Sequence, residues 1–270
     1  MSYPHRSTVG RIPSDVDPAV NVAARLGRAT VPVDGRPLRA MPLTRRYEAA
    51  WLTPQGDIET STRLAPATPL FEEAFSALAR GSLIQTEFGP VAVEDLQPGT
   101  RVLTAEGRSE TVTWVGSMMA YPRATTPHPD DQVTLTRITA ESLGLGRPMP
   151  DLMLGPRARI CLRDTRLRAQ LGLEAAYVPA RAFVDGVGVI ELTPVAPVPM
   201  FHVVLARHGS LRVAGLEIES YHPGEGIAEM IAPRMLSLFA ALFPQMPTLA
   251  GFGPLAHPRL TRFEVEGVLG

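Results

Sequence analysis

Side chains able to act as nucleophiles, bases or metal ligands are few. Cys161 is the only thiol among 270 residues. It alternates with Ile160 and Leu162 in a strand-like run, and no His lies close in sequence to lower its pKa, so a packed thiol is expected. His202 and His208 could form a minimal metal site with Glu217 or Glu219. Their spacing is not diagnostic, and structural hydrogen bonding is the expected role. Arg157, Arg159, Arg163, Arg166 and Arg168 form a local basic patch. Because Arg157, Arg159 and Arg163 share strand parity, they are expected to make a solvated cationic face, with an acidic partner as the alternative. No aromatics interleave with them, so nucleic acid is not an expected partner.

Composition excludes more than it offers. All 26 basic residues are Arg, and Asn21 is the only Asn. Without lysine there is no P-loop lysine and no Schiff base to a carbonyl substrate. One cysteine permits no intramolecular disulfide, no Cys-based zinc cluster and no C-x-x-C redox pair. A net charge of -1 with 45% hydrophobic residues is that of an ordinary globular chain, and no cofactor is implied.

Several elements must position these groups. Residues 1–44 mix Pro, Gly, Arg and Asp without a period and read as an extended or partly disordered lead-in. They contain no apolar signal core, so a cytoplasmic location is the default expectation. Residues 45–76 read as a hairpin, with turn residues at Pro54 to Asp57, and then a helix. That helix opens at Pro69, carries Phe71, Ala74, Phe75 and Leu78 on one face, and ends near Gly81.

About nine short strands follow, at Leu83 to Thr86, Val91 to Val93, Arg101 to Thr104, Thr111 to Val115, Val133 to Ile138, Arg159 to Leu162, Val187 to Leu192, Phe201 to Leu205 and Leu211 to Ile218. Ala124 to Asp131 is expected to be a loop. Such a series indicates an all-β domain. Within it Leu96-x-x-Gly99-x-x-Val102 recurs as Phe183-x-x-Gly186-x-x-Val189. Residues 225–270 read as a kinked amphipathic helix over Ile227 to Phe243, packed on the β domain, and a tail with a strand at Thr261 to Glu266. The apolar run Met235 to Phe243 is too short to span a membrane.

The run Gly81-Ser82-Leu83-Ile84-x-Thr86-x-x-Gly89-x-Val91-x-Val93-Glu94-Asp95-Leu96-x-Pro98-Gly99-x-x-Val102 resembles the opening of a Hint domain, the module shared by hedgehog autoprocessing domains and inteins. The likeness continues through Val112 to Gly116, through Asp151-Leu152-x-Leu154-x-Pro156, and from His202 to Ser220. It covers residues 77–224 and is greatest to bacterial stand-alone Hint proteins.

The resemblance implies a horseshoe-shaped β fold of two pseudo-symmetric halves, and self-cleavage. In that chemistry a nucleophile, usually Cys, attacks the carbonyl just before it, assisted by a T/S-x-x-H pair. The matching nucleophile position is Ala77, and the T/S-x-x-H positions are Gly155 and Ala158. None carries a reactive group, and the only Asn lies upstream of the module, away from any splicing junction. The expectation is therefore a catalytically degenerate Hint domain, not an enzyme, acting as a structural or protein-interaction module with an unidentified protein partner. The alternative is residual self-cleavage using Ser76 or Cys161. Ser82, in the family's small-hydroxyl position, is expected to bond at a strand start.

Overall fold

The structure, a computed structural model, describes residues 43–122 and 133–269. Asn21, nearly all of the expected lead-in and the expected loop at Ala124 to Asp131 lie outside the described residues. Among the described residues fifteen strands join into one hydrogen-bonded antiparallel array.

The chain enters through a hairpin, β1 (Thr44–Leu52) and β2 (Ile58–Pro66), whose turn is closed by Thr53 N–H on Asp57 O at 2.8 Å. Gly56 in that turn has φ +91°, which a glycine takes without a Cβ penalty. A short helix α1 (Pro69–Glu72) follows. It ends earlier than its apolar spacing predicts, because Ala77 to Ala79 is drawn into a sheet and Ala77 N–H donates to Phe201 O at 3.0 Å. Phe71, Ala74, Phe75 and Leu78 are nonetheless all buried.

The remainder is a double motif. Its first copy is β3 (Leu78–Ala79), the hairpin β4 (Leu83–Thr86) and β5 (Gly89–Ala92), a 3-10 turn at Val93–Asp95, β6 (Arg101–Leu103) and the long β7 (Ser109–Ala120). After β8 (Leu135–Ile138), the second copy is β9 (Leu152–Leu154), the pair β10 (Arg159–Leu162) and β11 (Ala176–Pro179), a 3-10 turn at Ala180–Phe183, β12 (Val189–Leu192) and the long β13 (Val198–Leu205). Equivalent bonds tie each 3-10 turn to the start of its hairpin: Val93 N–H to Ser82 O and Ala180 N–H to Ala158 O, both 2.9 Å.

This accounts for the seven-residue repeat in the sequence. Gly99 (φ +92°) and Gly186 (φ +77°) each turn the chain after a 3-10 segment, and Val102 and Val189 then enter strands as buried residues. The halves meet where Leu78 pairs with Leu154, and along β7 and β13, where Gly116 faces His202.

Helix α2 (Thr165–Leu171) is inserted in the second copy; Asp164 caps it by accepting from Arg166 N–H at 2.8 Å, and Gly172 ends it in the left-handed region. The expected strand Leu211 to Ile218 is two strands, β14 (Ser210–Val213) and β15 (Leu216–Glu219). Ala214 (φ +48°) and Gly215 (φ +86°) form the tight turn between them.

The C-terminal helix divides into α3 (Ile227–Met230) and α4 (Pro233–Ala240), because Ala232, before proline, is extended (ψ 141°). Phe239 and Phe243 pack with Phe71, Phe75, Trp114 and Tyr221 into an aromatic core, and Trp114 Nε1–H donates to Leu242 O at 2.9 Å. The expected strand at Thr261 to Glu266 is helical instead: α5 (Arg262–Leu269) opens on a capping box in which Thr261 N–H donates to Glu264 Oε2 at 2.7 Å and Glu264 N–H to Thr261 Oγ1 at 3.3 Å. No helix among the described residues is long and apolar enough to cross a membrane.

Candidate functional site

Position 77 lies where α1 gives way to β3, beside the β9–β10 connection. Ala77 O accepts from Gly155 N–H at 2.8 Å, and Ala158 N–H donates to Gly155 O at 3.2 Å, so Ala77, Gly155 and Ala158 are brought together. All the side chains present are methyls, and both alanines are buried. The α-carbon of Gly155 rests on the carbonyl of Ser76, the bond that a nucleophile at 77 would attack, and a β-carbon at 155 would overlap that oxygen. Ser76 is itself buried, with Oγ donating to Glu72 O at 2.7 Å across one helical turn. Ser82 Oγ likewise donates to Ala79 O at 2.7 Å, a strand-start bond.

Charged groups surround this junction. Glu73 Oε1 accepts from Arg159 Nη1 at 2.7 Å, and Glu219, 3% exposed, accepts from Arg259 Nε at 2.9 Å and stands 3.6 Å from Arg159 Nη1. Burial alone would raise the Glu219 pKa; the bond from His208 and the two guanidiniums outweigh it and hold the carboxyl below its ordinary value. His202 lies in the same cluster, with Nδ1 2.9 Å from Glu73 O and Nε2 3.4 Å from Glu219 O. Burial lowers its pKa, which favours the neutral ring.

His208 sits on the far side of Glu219. Its Nδ1 accepts from Ala256 N–H at 3.0 Å, so the proton is on Nε2, which faces Ser220 O at 3.1 Å and Glu219 Oε1 at 3.4 Å. His222 is arranged alike: Nδ1 accepts from Gly224 N–H and Nε2–H donates to Gly253 O at 2.9 Å. The histidines thus hold main-chain groups, including those of the C-terminal segment. Among the described residues no set of three His, Cys, Asp or Glu side chains is placed to hold a metal ion.

Cys161 is remote from this chemistry. Ala158 and Ile160 join the core that holds Ala77, whereas Cys161 faces the other way, packing with Ala175 and Tyr177. Burial pushes its thiol up to about 12. The expected cationic face is also absent. Arg157 and Arg159 turn to Glu73 and Arg163 to Glu217 at 2.9 Å, so strand parity is overridden by carboxylates from other elements, while Arg166 pairs with the helix cap Asp164 and Arg168 with Glu174 just past α2. Sequence reasoning missed Arg259 and His222 as parts of the buried cluster. Nothing in spacing alone places Glu73 beside Arg159.

Comparison with known proteins places these features. No curated protein matches the chain. Among solved structures it is similar to the bacterial intein-like domain from Clostridium thermocellum (13% identity, 54% of this chain and 99% of that one, TM-score 0.38) and to the MchDnaB-1 intein (18% identity, 54% and 100%, TM-score 0.31). The family model of the Hint domain matches residues 76–225, more than half of the chain and the whole of the double β motif, and the chain therefore belongs to the Hint-domain family.

Proposed function

We propose that this Hint domain does not cleave itself and serves as a structural or protein-interaction module. The observation that carries the reading is the Ser76–Ala77 bond: a methyl at the nucleophile position, a methyl at the imidazole position, and at the hydroxyl position a glycine whose α-carbon occupies the space against the carbonyl. A positioned acid-base group is worth about 10² to 10⁴ in rate, and without a nucleophile the covalent route has no first step. The two remaining candidates are poorly set for the task. Ser76 Oγ is bonded to the α1 backbone, and Cys161 is a buried, protonated thiol on the opposite face of β10.

The test is an intact-mass time course of the purified chain over days, with and without added thiol. A single unchanged mass is expected. Fragments that vanish in Ser76→Ala or Cys161→Ala would overturn the reading and establish residual self-cleavage instead.

A further inference from the structure

We infer that β2 is a dimerisation strand, pairing antiparallel with β2 of a second copy of this chain about a two-fold axis at Ser61. The inference is independent of whether the chain cleaves itself.

Among the described residues β2 pairs only with β1, and its other edge is open over nine residues. The closing bonds of the hairpin, Thr53 N–H to Asp57 O and Ala67 N–H to Leu43 O, fix the phase of the ladder. Odd-numbered residues of β2 bond to β1, and so Ile58, Thr60, Thr62 and Leu64 turn their N–H and C=O groups outward. Natural sheets usually guard such an edge with a bulge, a proline or repelling charge. Here the register runs unbroken from Ile58 to Pro66, and the only proline is the last residue.

The sequence Ile58-Glu59-Thr60-Ser61-Thr62-Arg63-Leu64 is complementary to its own reverse. Centred on Ser61, antiparallel pairing sets Ile58 against Leu64, Glu59 against Arg63, and Thr60 against Thr62, each twice by symmetry. Because the facing pairs Thr60–Thr62 and Ile58–Leu64 join outward-turned residues, each would exchange two N–H···O bonds. Apolar, charged and hydroxyl pairs then fall opposite their own kind or their complement. Shifting the register by two residues sets Ile58 against Thr62 or Pro66 and breaks the Glu59–Arg63 match.

The groups are also uncommitted. Ile58 is 46% and Leu64 74% exposed, and neither Glu59 nor Arg63 has an ion-pair partner among the described residues. A two-fold interface of this kind is closed, which limits assembly to a pair.

Sedimentation or light scattering across the micromolar range tests this. The wild-type chain is expected to dimerise. Glu59→Arg and Arg63→Glu should each weaken the dimer about tenfold or more, since two like-charged pairs replace two attractive ones. Mixing these two variants should restore a heterodimer of near wild-type affinity, and Glu59→Arg/Arg63→Glu in one chain should restore a homodimer. Thr62→Pro removes an N–H that β1 does not use, and should give a folded monomer by circular dichroism. A wild-type monomer at every concentration overturns the inference. So does a dimer that is indifferent to the reversals, is not restored by mixing, or persists in Thr62→Pro.

Discussion

Gly155 lies with its α-carbon against the carbonyl of Ser76, in a space that admits no β-carbon. Its φ is not in the left-handed region, so packing rather than backbone conformation demands glycine here. Gly155→Ala should therefore destabilise by about 1–3 kcal/mol or more, through displacement of the Ser76 backbone. Gly267, in α5, has nothing within 4 Å of the same methyl, and Gly267→Ala should stabilise by about 0.4–1 kcal/mol. Urea denaturation of the two variants checks the opposite signs; equal effects would mean that residue 155 is not confined.

Glu219 joins β15 to β10 and to the C-terminal segment through Arg159, Arg259 and His208. Glu219→Ala leaves the largely buried Arg259 without its carboxylate, while Arg159 keeps Glu73, and a loss of about 3–5 kcal/mol is expected. Exposed Glu266, paired with Arg262 in α5, is the control: Glu266→Ala should cost under about 1 kcal/mol. Denaturant midpoints compare the two.

Stability should fall as pH drops below about 6.5, before carboxylates titrate. Burial lowers the pKa of both His202 and His222 beneath the ordinary 6.5. Between the folded and unfolded values the unfolded chain therefore binds more protons, and folding weakens as pH decreases through that window. Above 6.5 the contribution is complete. Glu106 acts lower: burial would raise its pKa, but bonds from His257 and Ser210 take it from 4.5 to about 2, and the stability its carboxylate contributes is lost as pH falls from 4.5 toward 2. Thermal melts from pH 8 to pH 5 measure the histidine window, and His222→Gln should flatten the slope there.

The fold was legible where local chemistry agreed with the final packing. Pro54 to Asp57 makes a turn in any context, and Gly99 and Gly186 mark the two halves because both must adopt positive φ. Legibility failed where distant partners decided. Ala77 to Ala79 continues a helical apolar period, yet the carbonyl of Phe201 claims its backbone. Thr261 to Glu266 was misread although Thr261 and Glu264 stand at capping-box spacing, because Phe263 and Val265 also alternate like a strand. At the site, residues 77, 155 and 158, which the fold brings together, could be named from sequence. The Glu73–Arg159–Glu219–Arg259 ion cluster could not, since its members come from four segments far apart in the chain.

Cys161 provides a probe of global opening. Its thiol is 3% exposed, and burial raises its pKa to about 12, so almost no thiolate exists in the folded state at neutral pH. A thiol-directed reagent should leave the native chain unlabelled over the time in which a free thiol reacts completely, and should add one label per chain in denaturant. Labelling requires β10 to separate from β11, where Cys161 pairs with Tyr177 beneath the C-terminal segment. The native labelling rate should therefore rise with denaturant along the global unfolding curve and rise further in Glu219→Ala. A rate that is fast and flat in denaturant would instead place the thiol at an accessible surface, contrary to its packing against Tyr177.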